Sequence, residues 1–141
     1  MLKANKVLQK VFKKSGKKPS SEKNSKRDDG QYFESKACTY LKQQGLKLKA
    51  RNVNFPTGEI DLIMLDGAQL VFVEVRFRQH KEFGGAAASV DWHKQNKLIK
   101  TAQLYLQQQF GNQPPSCRFD VIAIEGTKAQ FEVSWIKNAI S

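Results

Sequence analysis

Apolar residues recur at helical spacing over residues 33–41 and at a period of two over residues 59–77, and this change of period separates the first elements of the chain. Periodic structure begins after Gly30. In QYFESKACTYLKQQG, Phe33, Ala37, Tyr40 and Leu41 share one helical face, and Gly45 supplies a C-terminal stop. LKLKARNVNF alternates as a strand and ends at Pro56-Thr57-Gly58. Two further strands are predicted over residues 59–65 and 70–77, with Asp66-Gly67 as a turn signal between them. KEFGGAAAS has paired glycines and small residues and reads as a loop. Over residues 91–110 the helical period returns, with Leu98, Ile99, Ala102, Tyr105, Leu106 and Phe110 on one broad face and GNQPP ending it. CRFDVIAIEG predicts a fourth strand and QFEVSWI a short fifth. An order of helix, three strands, helix, two strands predicts an α/β fold, a mixed sheet flanked by helices, rather than a helical bundle or a solenoid.

Charge changes the picture at the N-terminus. The 141 residues carry a formal net charge of +11, and residues 1–29 hold ten Lys/Arg against three acidic residues, leaving fourteen against ten for residues 30–141. The chain therefore divides into a basic tail, residues 1–29, whose KKSGKKPSSEKNSKRDDG favours disorder, and one α/β domain, residues 30–141. A short basic helix with Val7, Leu8, Val11 and Phe12 on one side is the competing reading of its start, for a membrane surface or for targeting. Such a positive balance favours a nucleic-acid partner, with solubility as the plainer role of the tail. No stretch approaches the roughly 20 apolar residues that span a bilayer. Cys38 and Cys117 form no spacing motif and read as reduced thiols of a cytoplasmic protein, and two histidines are too few for a zinc cluster.

The segment GEIDLIMLDGAQLVFVEVRFR places acidic residues inside strands that otherwise read as core. With Gly67 and Ala68 in a two-residue turn, Asp61 stands opposite Glu74; with Asp66 and Gly67 in it, Glu74 moves opposite Glu59. Either register puts Glu59, Asp61, Glu74 and Arg76 on one face, and Ile60, Leu62, Met64, Val71, Val73 and Val75 on the other. Carboxylates gathered on a partly covered face repel one another and are costly to desolvate without a cation. Three readings stay open from the residues alone. Asp61 and Glu74 pair with Arg76 or Arg78 as a solvated salt bridge, or they hold a hard divalent cation, or they act as an acid/base pair on a sugar.

GEIDLI followed by VFVEVR, with thirteen positions from Asp61 to Glu74, resembles the divided metal-binding signature of the PD-(D/E)xK nuclease superfamily. More closely, GQYFESKACTYLKQQG, ARNVNFPTGEIDLI, VFVEVRFR, FGGAAASVDWHKQNKLIKTAQLYL and CRFDVIAI resemble, in that order, the small bacterial YraN-like proteins. Those are described as predicted endonucleases related to archaeal Holliday junction resolvases. The resemblance implies a restriction-endonuclease-like fold and Mg²⁺ or Mn²⁺ held by Asp61 and Glu74, with the Val75 carbonyl and Glu34 of the first helix as further ligands. It implies a metal-dependent endonuclease acting on branched or distorted DNA. Arg76 stands where the superfamily signature has lysine. An arginine binds phosphate well but accepts a proton poorly, so another group has to carry proton transfer. Lys94, at the start of the second helix, is the candidate to replace the missing lysine charge.

Arg78, His80 and Lys81 after the hairpin, and Trp92, His93, Lys97 and Lys100 in or near the second helix, are the candidate nucleic-acid contacts. His93, Lys97 and Lys100 share a face roughly opposite the apolar stripe, as solvated residues also do. Trp92 is a candidate for stacking on a base. Gly84 and Gly85 lack the following GKS or GKT of a phosphate-binding P-loop. Asp120 reads as support for the sheet or, indirectly, for the site, and not as a metal ligand. The resemblance to resolvases also implies a homodimer and association with the nucleoid. Two alternatives accompany the nuclease reading: a nucleic-acid-binding module with a degenerate site, and a protein-interaction domain.

Overall fold

The computed structural model describes residues 21–79 and 91–140. Helix α1 (Ser21–Gln43) is followed by strands β1 (Lys47–Phe55), β2 (Gly58–Asp66) and β3 (Gln69–Arg78), helix α2 (Trp92–Phe110), and strands β4 (Cys117–Gly126) and β5 (Phe131–Ile140). The strands form one sheet in the order β1-β2-β3-β4-β5. Pairing is antiparallel except between β3 and β4. A parallel pair needs a crossover, and the segment containing α2 provides it. This mixed five-stranded sheet between two helices is the α/β class expected from the sequence and is consistent with a restriction-endonuclease-like fold.

Each helix covers one face of the sheet. Phe33, Ala37, Cys38 and Leu41 of α1 pack on Leu62, Met64, Val71, Val73, Ile122 and Ile124. Leu98, Ala102 and Tyr105 of α2 pack on Ala50, Val53, Ile60, Ile63, Leu70 and Phe72. Burying a side chain of this size stabilises by about 1.5–3 kcal/mol, so the two layers supply most of the drive to fold. Asp91 caps α2 by accepting the Lys94 amide at 2.8 Å. Gly45, at φ 99°, ends α1 in the left-handed region that favours glycine.

The hairpin register is settled by Asp66 pairing with Gln69 and Leu62 with Val73, which leaves Gly67 and Ala68 in the turn and carries Asp61 toward Glu74. Gly67 has φ 62° and no positive φ occurs at Ala68, the pattern of a turn with glycine at its first central position.

Three features differ from expectation, two of them boundaries. Helix α1 begins at Ser21 and runs through Gly30, so residues 21–29 belong to the helix and not to a tail. Charged SEKNSKRDD has no apolar stripe for a periodicity argument to find. At its far end Asp29 pairs with Lys128 at 2.7 Å. Residues 1–20 lie outside the described residues. The last strand is longer than QFEVSWI because a bulge at Asn138, φ 54°, keeps KNAI in register. Asp120, fully buried, anchors that bulge by accepting the Asn138 amide at 2.8 Å, the Trp135 indole N–H at 2.9 Å and the Arg118 Nε at 3.0 Å. It supports the sheet, as expected. Both cysteines are free.

The third difference lies inside β1 and β2. Strict alternation would put Ile60, Leu62 and Met64 on one face, yet Ile60 packs under α2 with Ile63 whereas Leu62 and Met64 pack under α1. Ala50 and Val53 of β1 likewise both pack under α2. Both strands therefore change face at the same level, at Asn52 and Asp61, where Arg51 pairs with Leu62 and Val53 with Ile60 on either side.

Candidate metal centre

That change of face opens a cleft between the middle of α1, the start of β2 and the first turns of α2. Its volume is about 480 Å³, and it is lined by Arg27, Gly30, Gln31 and Glu34 of α1, Gly58, Glu59 and Asp61 of β2, and Lys94, Lys97 and Leu98 of α2. Gly58 permits the close approach of α2: at φ 152° a Cβ there would lie 3.2 Å from Thr101 Oγ1. Thr57 and Thr101 share a 2.7 Å hydrogen bond, and Thr101 donates to the Lys97 carbonyl at 2.8 Å. These contacts fix the start of α2, and with it Lys94 and Lys97, over the acidic strand.

Carboxylate oxygens of Glu34, Glu59 and Asp61 lie within 4.8 Å of one another. Asn52 Nδ2 donates to Glu34 Oε1 at 2.7 Å and to Glu59 Oε1 at 3.1 Å. Asp61 Oδ2 accepts the Val75 amide at 2.8 Å across the hairpin. Although Asp61 keeps part of its surface on the cleft, protein encloses its carboxyl. Desolvation, the Glu74 charge, a hydrogen bond shared with Glu74 and the Glu34 charge hold its pKa well above the usual carboxylate range, against the Val75 amide. Burial also pushes Glu34 up, with repulsion from Glu59 and Glu74 adding to it and Asn52 and Arg51 opposing it. Glu74 is only 4% exposed, and among the described residues its Oε2 has no hydrogen-bond donor. Lys94 Nζ stands 3.9 Å from that oxygen, inside ion-pair range but too far for a hydrogen bond.

A buried carboxylate oxygen without a donor among the described residues, beside two carboxyl groups that resist ionisation, has the chemistry that a hard cation would satisfy. Mg²⁺ takes oxygen ligands at about 2.1 Å, so opposite ligands lie about 4.2 Å apart, a spacing compatible with three carboxylate oxygens that lie within 4.8 Å of one another. The donor set fits Mg²⁺ or Mn²⁺ and offers no nitrogen or sulfur for a softer metal.

The structure thus brings Glu34, Asp61, Glu74 and Lys94 together, as expected from the sequence. It adds Glu59, which the sequence places on the charged face but does not mark as a ligand. Arg76 is partly buried on β3 and is not among the described residues lining the cleft. Lys97 lines the cleft, and Lys100 is exposed one helical turn further on. Trp92 is 69% exposed at the first residue of α2, with the His93 ring 5.1 Å away edge-on. Arg78 is exposed at the end of β3, and His80 and Lys81 lie outside the described residues. Arg27 also reaches the cleft, a contact hidden from the sequence because α1 starts earlier than its periodicity shows.

The model of the uncharacterised protein family UPF0102 matches residues 33–124. The chain belongs to this family. A UPF0102 protein of Janthinobacterium sp. (strain Marseille) is 55% identical over 111 residues, covering 79% of this chain and 85% of its own length. The UPF0102 protein of Yersinia enterocolitica is 49% identical over 120 residues, covering 83% of this chain and 97% of its own. That of Pseudomonas fluorescens is 47% identical over 116 residues, covering 82% and 94%. The UPF0102 match contains the four acidic residues, Asn52 and Lys94, whereas Arg27 lies outside it. No helix among the described residues is long and apolar enough to cross a membrane.

Proposed function

We propose that this UPF0102 protein is a metal-dependent phosphodiester hydrolase of the PD-(D/E)xK kind, acting on branched or distorted DNA. One observation carries the reading: Asp61 lines the cleft, and behind the lining the neighbouring Glu74 is buried with no donor at Oε2 among the described residues and with Lys94 3.9 Å away. Asp61, Glu74, Glu34 and Glu59 would hold Mg²⁺ or Mn²⁺. When bound, the ion polarises a phosphoryl oxygen and lowers the pKa of water at the site. Lys94 supplies the positive charge that the superfamily signature places two residues after Glu74, and Arg27 and Lys97 on the rim attract the phosphate backbone. Symmetric cutting of a four-way junction would further require two such sites paired by a dimer axis. Action at the nucleoid follows from the same reading.

Arg76 favours a second reading. With arginine at the signature lysine, the cleft binds nucleic acid through its basic rim and does no chemistry. Incubating the full chain with linear, flap and four-way DNA, with Mg²⁺ and with EDTA, separates the two. The hydrolase reading expects Mg²⁺-dependent products that Asp61→Ala and Glu74→Ala abolish while circular dichroism stays unchanged. Binding of all three substrates with no product from any would select the binding module.

A further inference from the structure

We propose that Asn52 is the positioning residue of this centre: its amide clamps Glu34 and Glu59 into a ready-made pair of oxygen ligands beside Asp61. The inference rests on the metal-dependent reading above and adds Glu59 to the ligand set.

Asn52 lies on β1, Glu34 on α1 and Glu59 on β2, so three separate elements converge on one side-chain amide. Its single NH₂ group reaches both carboxylates, at 2.7 and 3.1 Å. A planar amide has two diverging hydrogens, one for each acceptor, which neither a hydroxyl nor a carboxylate provides. Two unclamped carboxylates would repel. The clamp keeps the two carboxylates gathered within 4.8 Å of an Asp61 oxygen. Outer-shell hydrogen bonds orient metal ligands in this way.

The backbone points to the same role. Asn52 has φ 49°, the left-handed region that most side chains avoid and asparagine tolerates. It stands across from Asp61 in the ladder, where both strands change face. This unusual backbone accompanies the change of face of both strands at this level. The case for a cation does not depend on the clamp, because Glu74 Oε2 is independently buried beside Asp61 without a donor.

Asn52→Gly tests the clamp, since glycine accepts φ 49° without strain and lacks the amide. Mn²⁺ binding by the full chain, without DNA, is followed by calorimetry and by the electron paramagnetic resonance of the free ion, with thermal melting in EDTA as the fold control. The expected result is a Kd weakened about tenfold or more, as for the loss of an outer-shell partner, at a nearly unchanged melting temperature in EDTA. An unchanged Kd overturns the clamp. If Glu74→Ala still weakens Mn²⁺ in that case, the metal reading survives without it. A wild type that binds no Mn²⁺ overturns both. Should Asn52→Gly fail to fold, Glu59→Gln decides the matter: it leaves Asn52 a neutral acceptor but removes a charged ligand, so a weakened Kd supports the proposal and an unchanged Kd overturns it.

Discussion

Lys94 Nζ faces Glu74 Oε2 at 3.9 Å from a different element, α2 against β3. Twenty positions separate the two residues in the sequence, and the crossover from β3 to β4 closes that distance. The lysine on the helix thus brings a positive charge near the carboxylates, while Arg76 occupies the strand two residues after Glu74. It also partly offsets the cost of burying Glu74, which has no hydrogen-bond donor at Oε2 among the described residues.

Gathering buried carboxylates works against the stability of the fold wherever they ionise. The Asp61 pKa is raised in the fold, chiefly by desolvation and by Glu74, so its ionised form costs the native state. Below the unfolded carboxylate pKa both states are protonated and the penalty vanishes. It grows as pH rises above that value until Asp61 ionises in the fold. Asp61→Asn, which can still accept the Val75 amide, should therefore stabilise the protein in EDTA at neutral pH by about 1 kcal/mol, roughly 4 °C in Tm, and by little in acid. Addition of Mg²⁺ should raise the Tm of wild type and not of the variant. A neutral-pH Tm in EDTA below that of wild type would contradict the prediction, and Glu132→Ala on exposed β5 serves as the control that should do nothing.

A deletion of residues 1–20 leaves every described residue of α1 and of the cleft in the chain. Residues 1–20 contain seven lysines and no acidic residue, against a net +11 for the chain. Cutting at residue 29 would instead remove the first turns of α1, Arg27 of the cleft and the Asp29 partner of Lys128. Deleting residues 1–20 should lower non-specific DNA affinity and flatten its salt dependence, each lost phosphate contact reducing the slope by about 0.9. Superimposable binding curves over a salt series would show that the segment does not touch DNA.

What the sequence made legible follows from which forces leave a periodic trace. Leu98, Ala102 and Tyr105 recur at helical spacing because one face of α2 is buried, and they pack as expected. Asp61 and Glu74 stood out because charge inside an apolar alternation is costly. Glu59 was visible on the charged face, but nothing in its spacing showed that Asn52 would join it to Glu34. That contact depends on a left-handed residue within a strand and on a helix packed from elsewhere. The break in alternation at Asn52 and Asp61 is equally silent, since Ile60 and Leu62 are apolar whichever way they face. Gly30 argued for a helix start and instead lies within α1, where a Cβ would meet open space and the residue does not have to break the helix.

Trp92 offers a probe of the DNA itself. The chain has two tryptophans; Trp92 is 69% exposed and Trp135 donates to Asp120 at 2.9 Å. Base stacking quenches indole emission, so flap or single-stranded DNA should quench Trp92 and leave Trp135 bright. Trp92→Phe should abolish the quench while retaining most affinity, and Trp92→Ala should cost about 1–3 kcal/mol of binding. A full quench remaining in Trp92→Phe would assign the contact elsewhere.

On the proposed hydrolase reading, Lys94 would take the role that one lysine holds in the superfamily signature, and its variants should separate from those of Arg76. Lys94 lines the cleft and faces Glu74, so Lys94→Ala should lower single-turnover cleavage by about 10²–10³-fold, the usual scale for losing one charge-stabilising group. It should leave ground-state DNA affinity within a few fold, because one rim charge contributes little to binding among many. Arg76 is partly buried on β3 outside the cleft lining, so Arg76→Ala should act more weakly on cleavage, and Arg76→Lys should leave it near wild type. Both are compared on one junction, at one salt concentration, with circular dichroism as the fold control. If Arg76→Ala abolishes cleavage while Lys94→Ala leaves it intact, the electrostatic role belongs to the strand position and the helix has not taken it over. If Arg76→Lys converts an inactive wild type into a Mg²⁺-dependent nuclease, the natural site is a binding site in which arginine has replaced the lysine that chemistry requires.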